Sequence, residues 1–106
     1  MSSALPARES LTVEFKSDRA QLSDRALVEA IVCLANGAGG ELWLGVEDDG
    51  TPSGLHAAHA ELASLAGLVA SRTSPPLAVR DAGQLAAQGH RRSTFYTLPQ
   101  GSANLD

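Results

Sequence analysis

Five cationic side chains have the type and spacing to do chemistry with phosphate: Lys16, Arg19 and Arg25 in the first quarter of the chain, and Arg91 and Arg92 near its end. Lysine and arginine neutralise phosphate oxygens and release condensed counterions, so such a set is the electrostatic footprint of a nucleic-acid surface. Lys16 and Arg19 are close in sequence, and Arg91 and Arg92 join them in one patch if the last strand lies beside the first; otherwise the cations are a scattered, solvated surface. The glycine corner Gly37-Ala38-Gly39-Gly40 is a second candidate, because its amides could line an anion nest. Here, however, the glycines follow a helix and precede a strand, the reverse of a phosphate loop that feeds a helix N-terminus, and a structural corner is the simpler reading. Asn36 reads as a helix terminator rather than a group aimed at a ligand. His56 and His59 stand close together with Glu61, but a zinc site would need more ligands, and only His90 and Cys33 remain.

The elements that must position these groups are set by hydrophobic period. Leu11, Val13 and Phe15 alternate with Thr12, Glu14 and Lys16, which predicts a first strand with one buried face. Ser17 to Leu22 reads as a polar link, with Ser23 as N-cap of a helix whose apolar stripe is Leu27, Ala30, Ile31, Leu34 and Ala35. Leu42, Leu44 and Val46 then alternate with Trp43 and Gly45 in a central strand that closes at the turn pair Asp49-Gly50. Thr51 to Leu55 reads as a hairpin return. A second amphipathic helix is expected from His56 to about Ser71, ended by Pro75-Pro76. Leu77 to Arg80 is expected as a short strand, Asp81 to His90 as a loop, and Ser93 to Leu98 as the last strand. The sum is an α+β fold, an α/β sandwich with a small mixed sheet and two helices on one face.

Composition narrows the functions such a fold can have. The chain has 106 residues, enough for one domain with a modest core, and 43% are apolar. Its net charge of −4 and isoelectric point near 5.2 exclude a uniformly basic surface, so any phosphate contact must be a local patch. Aromatics are only 4%, which leaves few platforms for base stacking. The single cysteine, Cys33, cannot form an internal disulfide and reads as a small buried hydrophobe. That usage suits a reducing cytoplasm, and no apolar run approaches a membrane span.

Glu9-Ser10-x-x-Val13-Glu14-Phe15-Lys16, the helix end Leu34-Ala35-Asn36, Gly39 to Gly50 and Gly54-Leu55 together resemble the Schlafen-type AlbA-like domain. The later Ser74-Pro75-Pro76-Leu77 and Tyr96 to Gly101 match more weakly. The resemblance implies an Alba-like domain over residues 9–98; the small, polar, proline-bearing residues 1–8 read as a flexible lead-in and 99–106 as a tail. It implies a DNA-binding module of the kind found in bacterial transcriptional regulators and RecG-helicase-related proteins, without helicase activity, since no Walker A motif is present. Members often continue into a C-terminal winged-helix region; this chain is expected to be either a short member or an N-terminal domain. In the nuclease members three carboxylates surround a divalent ion, and matching them residue by residue gives Glu9, Glu14 and Asp48, with Glu47 and Asp49 as neighbours of the last. Clustered carboxylates on Mg²⁺ or Mn²⁺ can activate water beside a phosphodiester.

Three functions follow as expectations. The first is DNA or RNA binding through the phosphate backbone, which requires no cofactor. A metal-dependent ribonuclease using Glu9, Glu14 and Asp48 is the second. The third is a homodimerisation or protein-interaction module, with Trp43 or the final strand at the contact.

Overall fold

Residues 5–57, 65–86 and 92–105 are described by the computed structural model. Their elements run β1 (Val13–Lys16), α1 (Asp24–Asn36), β2 (Gly40–Leu44), α2 (Leu65–Ser71), β3 (Thr73–Ser74), β4 (Arg80–Ala86), β5 (Arg92–Leu98) and β6 (Asn104–Leu105). The four-stranded sheet has the order β1-β2-β5-β4, with β1 parallel to β2 and the other pairs antiparallel; β3 and β6 form a separate ribbon. This is the α+β architecture that the periodicity predicts. Phe15 pairs with Trp43 across β1 and β2, so the first strand and the central strand do share a layer.

Each sheet face has its own core. On one face Leu27, Val28, Ile31, Leu34 and Ala35 of α1 pack on Leu42, Leu44, Tyr96 and Leu98, joined by Val69 and Val79. Burial there raises the Tyr96 phenol above its ordinary value of 10.0. The other face is an aromatic cluster of Phe15, Trp43, Phe95 and Val46, with Leu5 and Val13 packed against it. Trp43 stacks on Phe95 with centroids 4.1 Å apart and planes 11° apart, and its indole N–H donates to Glu41 Oε1 at 3.1 Å. Trp43 is therefore a core anchor. Fully buried, it is no contact surface, and the last long strand, β5, is internal to the sheet.

α1 starts and stops where its caps require. The Ser23 hydroxyl accepts the Ala26 amide at 3.1 Å, and Asp24 lies in the first turn. At the other end Gly37 N–H returns to the Cys33 carbonyl. The chain then turns through Gly39 and Gly40, at φ of +78° and +140°. A Cβ on Gly39 would lie 2.6 Å from the Gln100 nitrogen, and one on Gly40 would lie 2.1 Å from the Thr12 carbonyl oxygen. The corner is glycine because two other stretches of backbone cross it.

Several expectations are corrected. Leu11 is 93% exposed, in the turn before β1, and does not share the buried face of Phe15. Val46 does not share the face of Leu42 and Leu44: Gly45, at φ +86°, lets both its own N–H and that of Val46 meet the Lys16 carbonyl, and this irregularity moves Val46 into the aromatic cluster. Thr51 to Leu55 does turn back antiparallel, closed by the Glu47 amide on the Thr51 carbonyl, but as an isolated bridge of Val46 with Pro52 and not as a strand. His56 precedes the described helical residues, and residues 58–64 of the expected second helix lie outside them. The expected loop from Asp81 is strand β4 through Ala86; its Asp, Gly and Gln have poor strand propensity, but pairing with β5 overrides it. Cys33 is exposed, because the buried stripe of α1 passes through Leu34 and Ala35 instead.

The chain beyond Pro99, read as a tail, returns to the body. Asn36 clamps it: Nδ2 donates to the Ala103 carbonyl and Oδ1 accepts the Ala103 amide, both at 2.9 Å. The side-chain amide thus mimics a strand partner, a third role beside terminator and ligand group. Gly101 N–H donates to the Ala35 carbonyl, and Ala103 is 2% exposed. Asn36→Ala should lower stability by about 2 kcal/mol, two neutral hydrogen bonds at about 1 kcal/mol each. Denaturant unfolding measures the loss, and hydrogen exchange should place it at β6.

Candidate nucleic-acid interface

The C-terminal ends of β1 and β2 and the N-terminal end of β5 meet at one end of the sheet. Lys16 pairs with Leu44 and Leu44 with Thr94, so Arg92 lies two residues beyond that row. Its backbone is fixed there, because the Arg92 carbonyl accepts the Leu55 amide at 2.9 Å and Ser93 Oγ donates to the Gly45 carbonyl at 2.6 Å. Arg92 does not reach Lys16 by lying beside β1, as the patch reading requires; β2 stands between. It reaches the same end through the antiparallel register of β5. Arg91 lies outside the described residues.

Arg19 sits in the link that leaves β1, and Arg25 in the first turns of α1, so both lie at this end as well. Arg72, which sequence spacing cannot place, joins them: its guanidinium is 3.7 Å from Asp24 Oδ2 at the start of α1. Arg80, by contrast, begins β4 opposite Thr97, at the far end of the sheet. The gathered cations are therefore Lys16, Arg19, Arg25, Arg72 and Arg92.

Most of them already face a carboxylate. Lys16 Nζ is 3.2 Å from Glu14, Arg19 Nε 3.8 Å from Glu47, and Arg25 Nε 2.8 Å from Glu29. The cations are half-exposed or exposed, and ion pairs of that kind contribute between about 0 and 1 kcal/mol, so a phosphate can displace the carboxylate at small cost. Arg92 is exposed and has no carboxylate within 4.0 Å among the described residues.

The scaffold under this end is a set of buried polar contacts centred on the Gly45 carbonyl. It accepts from the Ser53 and Gly54 amides, at 2.8 and 3.0 Å, and from the Ser93 hydroxyl at 2.6 Å. Ser53 Oγ also donates to Glu47 Oε2, which orients the carboxylate that meets Arg19. Asp18, fully buried, accepts the Leu22 amide on Oδ1 and the His56 amide on Oδ2, both at 2.8 Å. The link read as merely polar is thus pinned to the segment after β2. Asp49 accepts the Thr51 amide in the acidic turn, and Thr51 holds its carboxyl below the ordinary value.

The three matched carboxylates are not brought together. Glu9 Oε1 accepts the Phe15 amide at 2.9 Å, on the outer edge of β1. Glu14 is engaged with Lys16 on the α1 face, where a groove of about 490 Å³ between β1 and α1 also carries Glu29 and Cys33. Asp48 is exposed in the turn. Among the described residues no three His, Cys, Asp or Glu side chains stand within reach of one ion, so Glu9, Glu14 and Asp48 do not fit a shared Mg²⁺ or Mn²⁺. His59, Glu61 and His90 lie outside the described residues.

All the aromatic rings are inside: Trp43 and Phe15 are 0% and 1% exposed, Phe95 and Tyr96 5% and 8%. The site can offer charge and backbone amides to a polyanion, but no aromatic face to an unstacked base. Among the described residues no helix is long and apolar enough to cross a membrane.

A family model described as Schlafen, AlbA_2 matches residues 9–98. No curated protein and no solved structure matches the chain.

Proposed function

Because the chain belongs to the Schlafen AlbA_2 family, a nucleic-acid-related domain, we propose that it binds nucleic acid at the cationic end of its sheet, chiefly through phosphate contacts. The observation that carries this reading is the meeting at that end of Lys16, Arg19, Arg25 and Arg72, each on an exposed or half-exposed ion pair with Glu14, Glu47, Glu29 or Asp24, with Arg92, which has no such partner among the described residues. The burial of all the aromatic rings supports backbone contact over stacking, and hence paired over unpaired strands. Among the described residues no helix offers Arg, Asn or Gln at base-reading spacing, so binding is largely independent of sequence. In this reading the domain serves a bacterial regulator-type protein in the cytoplasm as a DNA-holding module, and a further region of that protein chooses the target.

Fluorescence anisotropy with a labelled duplex tests it. Affinity should fall steeply with added salt, and replacing Lys16, Arg19, Arg25 and Arg92 together by Gln should weaken binding about tenfold or more at low salt and flatten the salt slope. Among single variants Arg92→Gln should lose most, because the other cations surrender a carboxylate partner when they meet phosphate. Binding that ignores salt, or a quadruple variant as tight as the parent chain, would remove the proposal.

A further inference from the structure

β1 is an edge strand, and three of its outward hydrogen-bonding groups, both of Val13 and the N–H of Phe15, are covered by the chain's own preceding residues. The Glu41 amide meets the Thr12 carbonyl and the Gly45 amide the Lys16 carbonyl, so the even-numbered residues of β1 face β2 and Val13 and Phe15 face outward. Val13 is taken at both groups by Ser10: Ser10 N–H donates to the Val13 carbonyl at 2.9 Å, and Val13 N–H to the Ser10 carbonyl at 3.3 Å. The outward Phe15 N–H donates to the Glu9 carboxylate. An uncovered edge strand templates pairing with another chain, and a carboxylate bonded onto its amide prevents that pairing.

We infer that Glu9 and Ser10 form a strap that keeps the β1 edge from pairing with a second copy of this chain. The occupant is set by charge. Antiparallel pairing of two β1 strands about Phe15 would exchange N–H to carbonyl bonds between the two Phe15 residues and place Glu14 of each copy opposite Lys16 of the other. Opposite charges facing each other across an antiparallel pair are favourable, and both side chains are about one-third exposed. The other edge, β4, is interrupted by a register shift between Asp81 and Gly83 and offers no comparably regular ladder. The inference stands independently of the nucleic-acid reading.

Sedimentation of the parent chain, Glu9→Ala and Glu9→Gln over a range of concentrations tests it. Glu9→Ala should dimerise about tenfold or more tightly than the parent, whereas Glu9→Gln, which keeps a carbonyl acceptor, should stay close to it. Adding Lys16→Glu to Glu9→Ala should abolish the gain by facing carboxylate with carboxylate, and adding Glu14→Lys as well should restore it. The inference fails if Glu9→Ala associates no more than the parent chain, if its association ignores the charge changes, or if it forms large heterogeneous species. Hydrogen exchange in the parent chain is a check that needs no variant: a Phe15 amide that exchanges as a free edge amide would equally overturn the strap.

Discussion

Gly40→Ala is expected to abolish cooperative folding. The added Cβ would stand 2.1 Å from the Thr12 carbonyl oxygen and 2.7 Å from its carbon, at a φ of +140° that residues with a side chain rarely adopt. The clash is with backbone and cannot be relieved by rotating a side chain. That carbonyl accepts the Glu41 amide at 2.8 Å, so moving it away opens the β1–β2 pairing at its first rung. The cost should reach most of the roughly 5–15 kcal/mol by which a domain of this size is stable. Gly101→Ala is the matched control: its Cβ would meet only Leu77 Cδ2, at 3.6 Å, and stability should hold or rise by about 0.4–1 kcal/mol. Circular dichroism and thermal unfolding of the two variants give the comparison. A cooperative transition for Gly40→Ala near that of the parent chain would contradict the role assigned to the corner.

Asp18→Ala should cause the next largest loss, about 3 kcal/mol or more. The carboxylate is 0% exposed and satisfies backbone amides from Leu22 and from His56, which is 38 residues away in sequence. Removing it strands two donors, each costing about 1–3 kcal/mol when left without an acceptor away from water. Asp18→Asn keeps one acceptor oxygen and turns an N–H₂ group toward the other amide, so its loss should be intermediate. Denaturant titration ranks the three proteins, and equal midpoints for Asp18→Ala and the parent would refute the assignment. Arg19 follows Asp18 directly, so a loosened link should also weaken polyanion binding with every cation still present.

How much of this was legible in the residues differs from element to element for physical reasons. The β1–α1–β2 unit was readable because alternation, a serine cap and a glycine corner are local signals, and each appears where its chemistry demands. β4 was not, because a run of Asp, Ala, Gly and Gln becomes strand only when β5 supplies a ladder. The placement of Val46 is hidden because one glycine at positive φ breaks a period that the letters continue. Asn36 and Asp18 act through partners 67 and 38 residues away, which no window of sequence joins. In the candidate site, Lys16, Arg19 and Arg25 could be read from their closeness to one another, while Arg72 becomes visible only through its contact with Asp24. Glu9 stood out by its motif, yet its hydrogen bond to Phe15 gives it an edge-covering place in this fold.

The burial of the rings and the placement of the cations rest on the same topology. Antiparallel β5 brings Phe95 onto Trp43 in one row of the sheet and carries Arg92 to the end where Lys16 and the link to α1 emerge. The gathering of these cations is thus a consequence of strand order and register rather than of net charge. The most direct measurement is a nuclear magnetic resonance titration of the isotope-labelled chain with a short duplex at low salt. Backbone shifts should concentrate at Lys16 to Arg19, Ser23 to Arg25, Arg72 and Arg92, and leave Ala78 to Asp81 and Thr97 to Pro99 at the other end unmoved. Shifts centred on that other end, or none at any duplex concentration, would contradict the account.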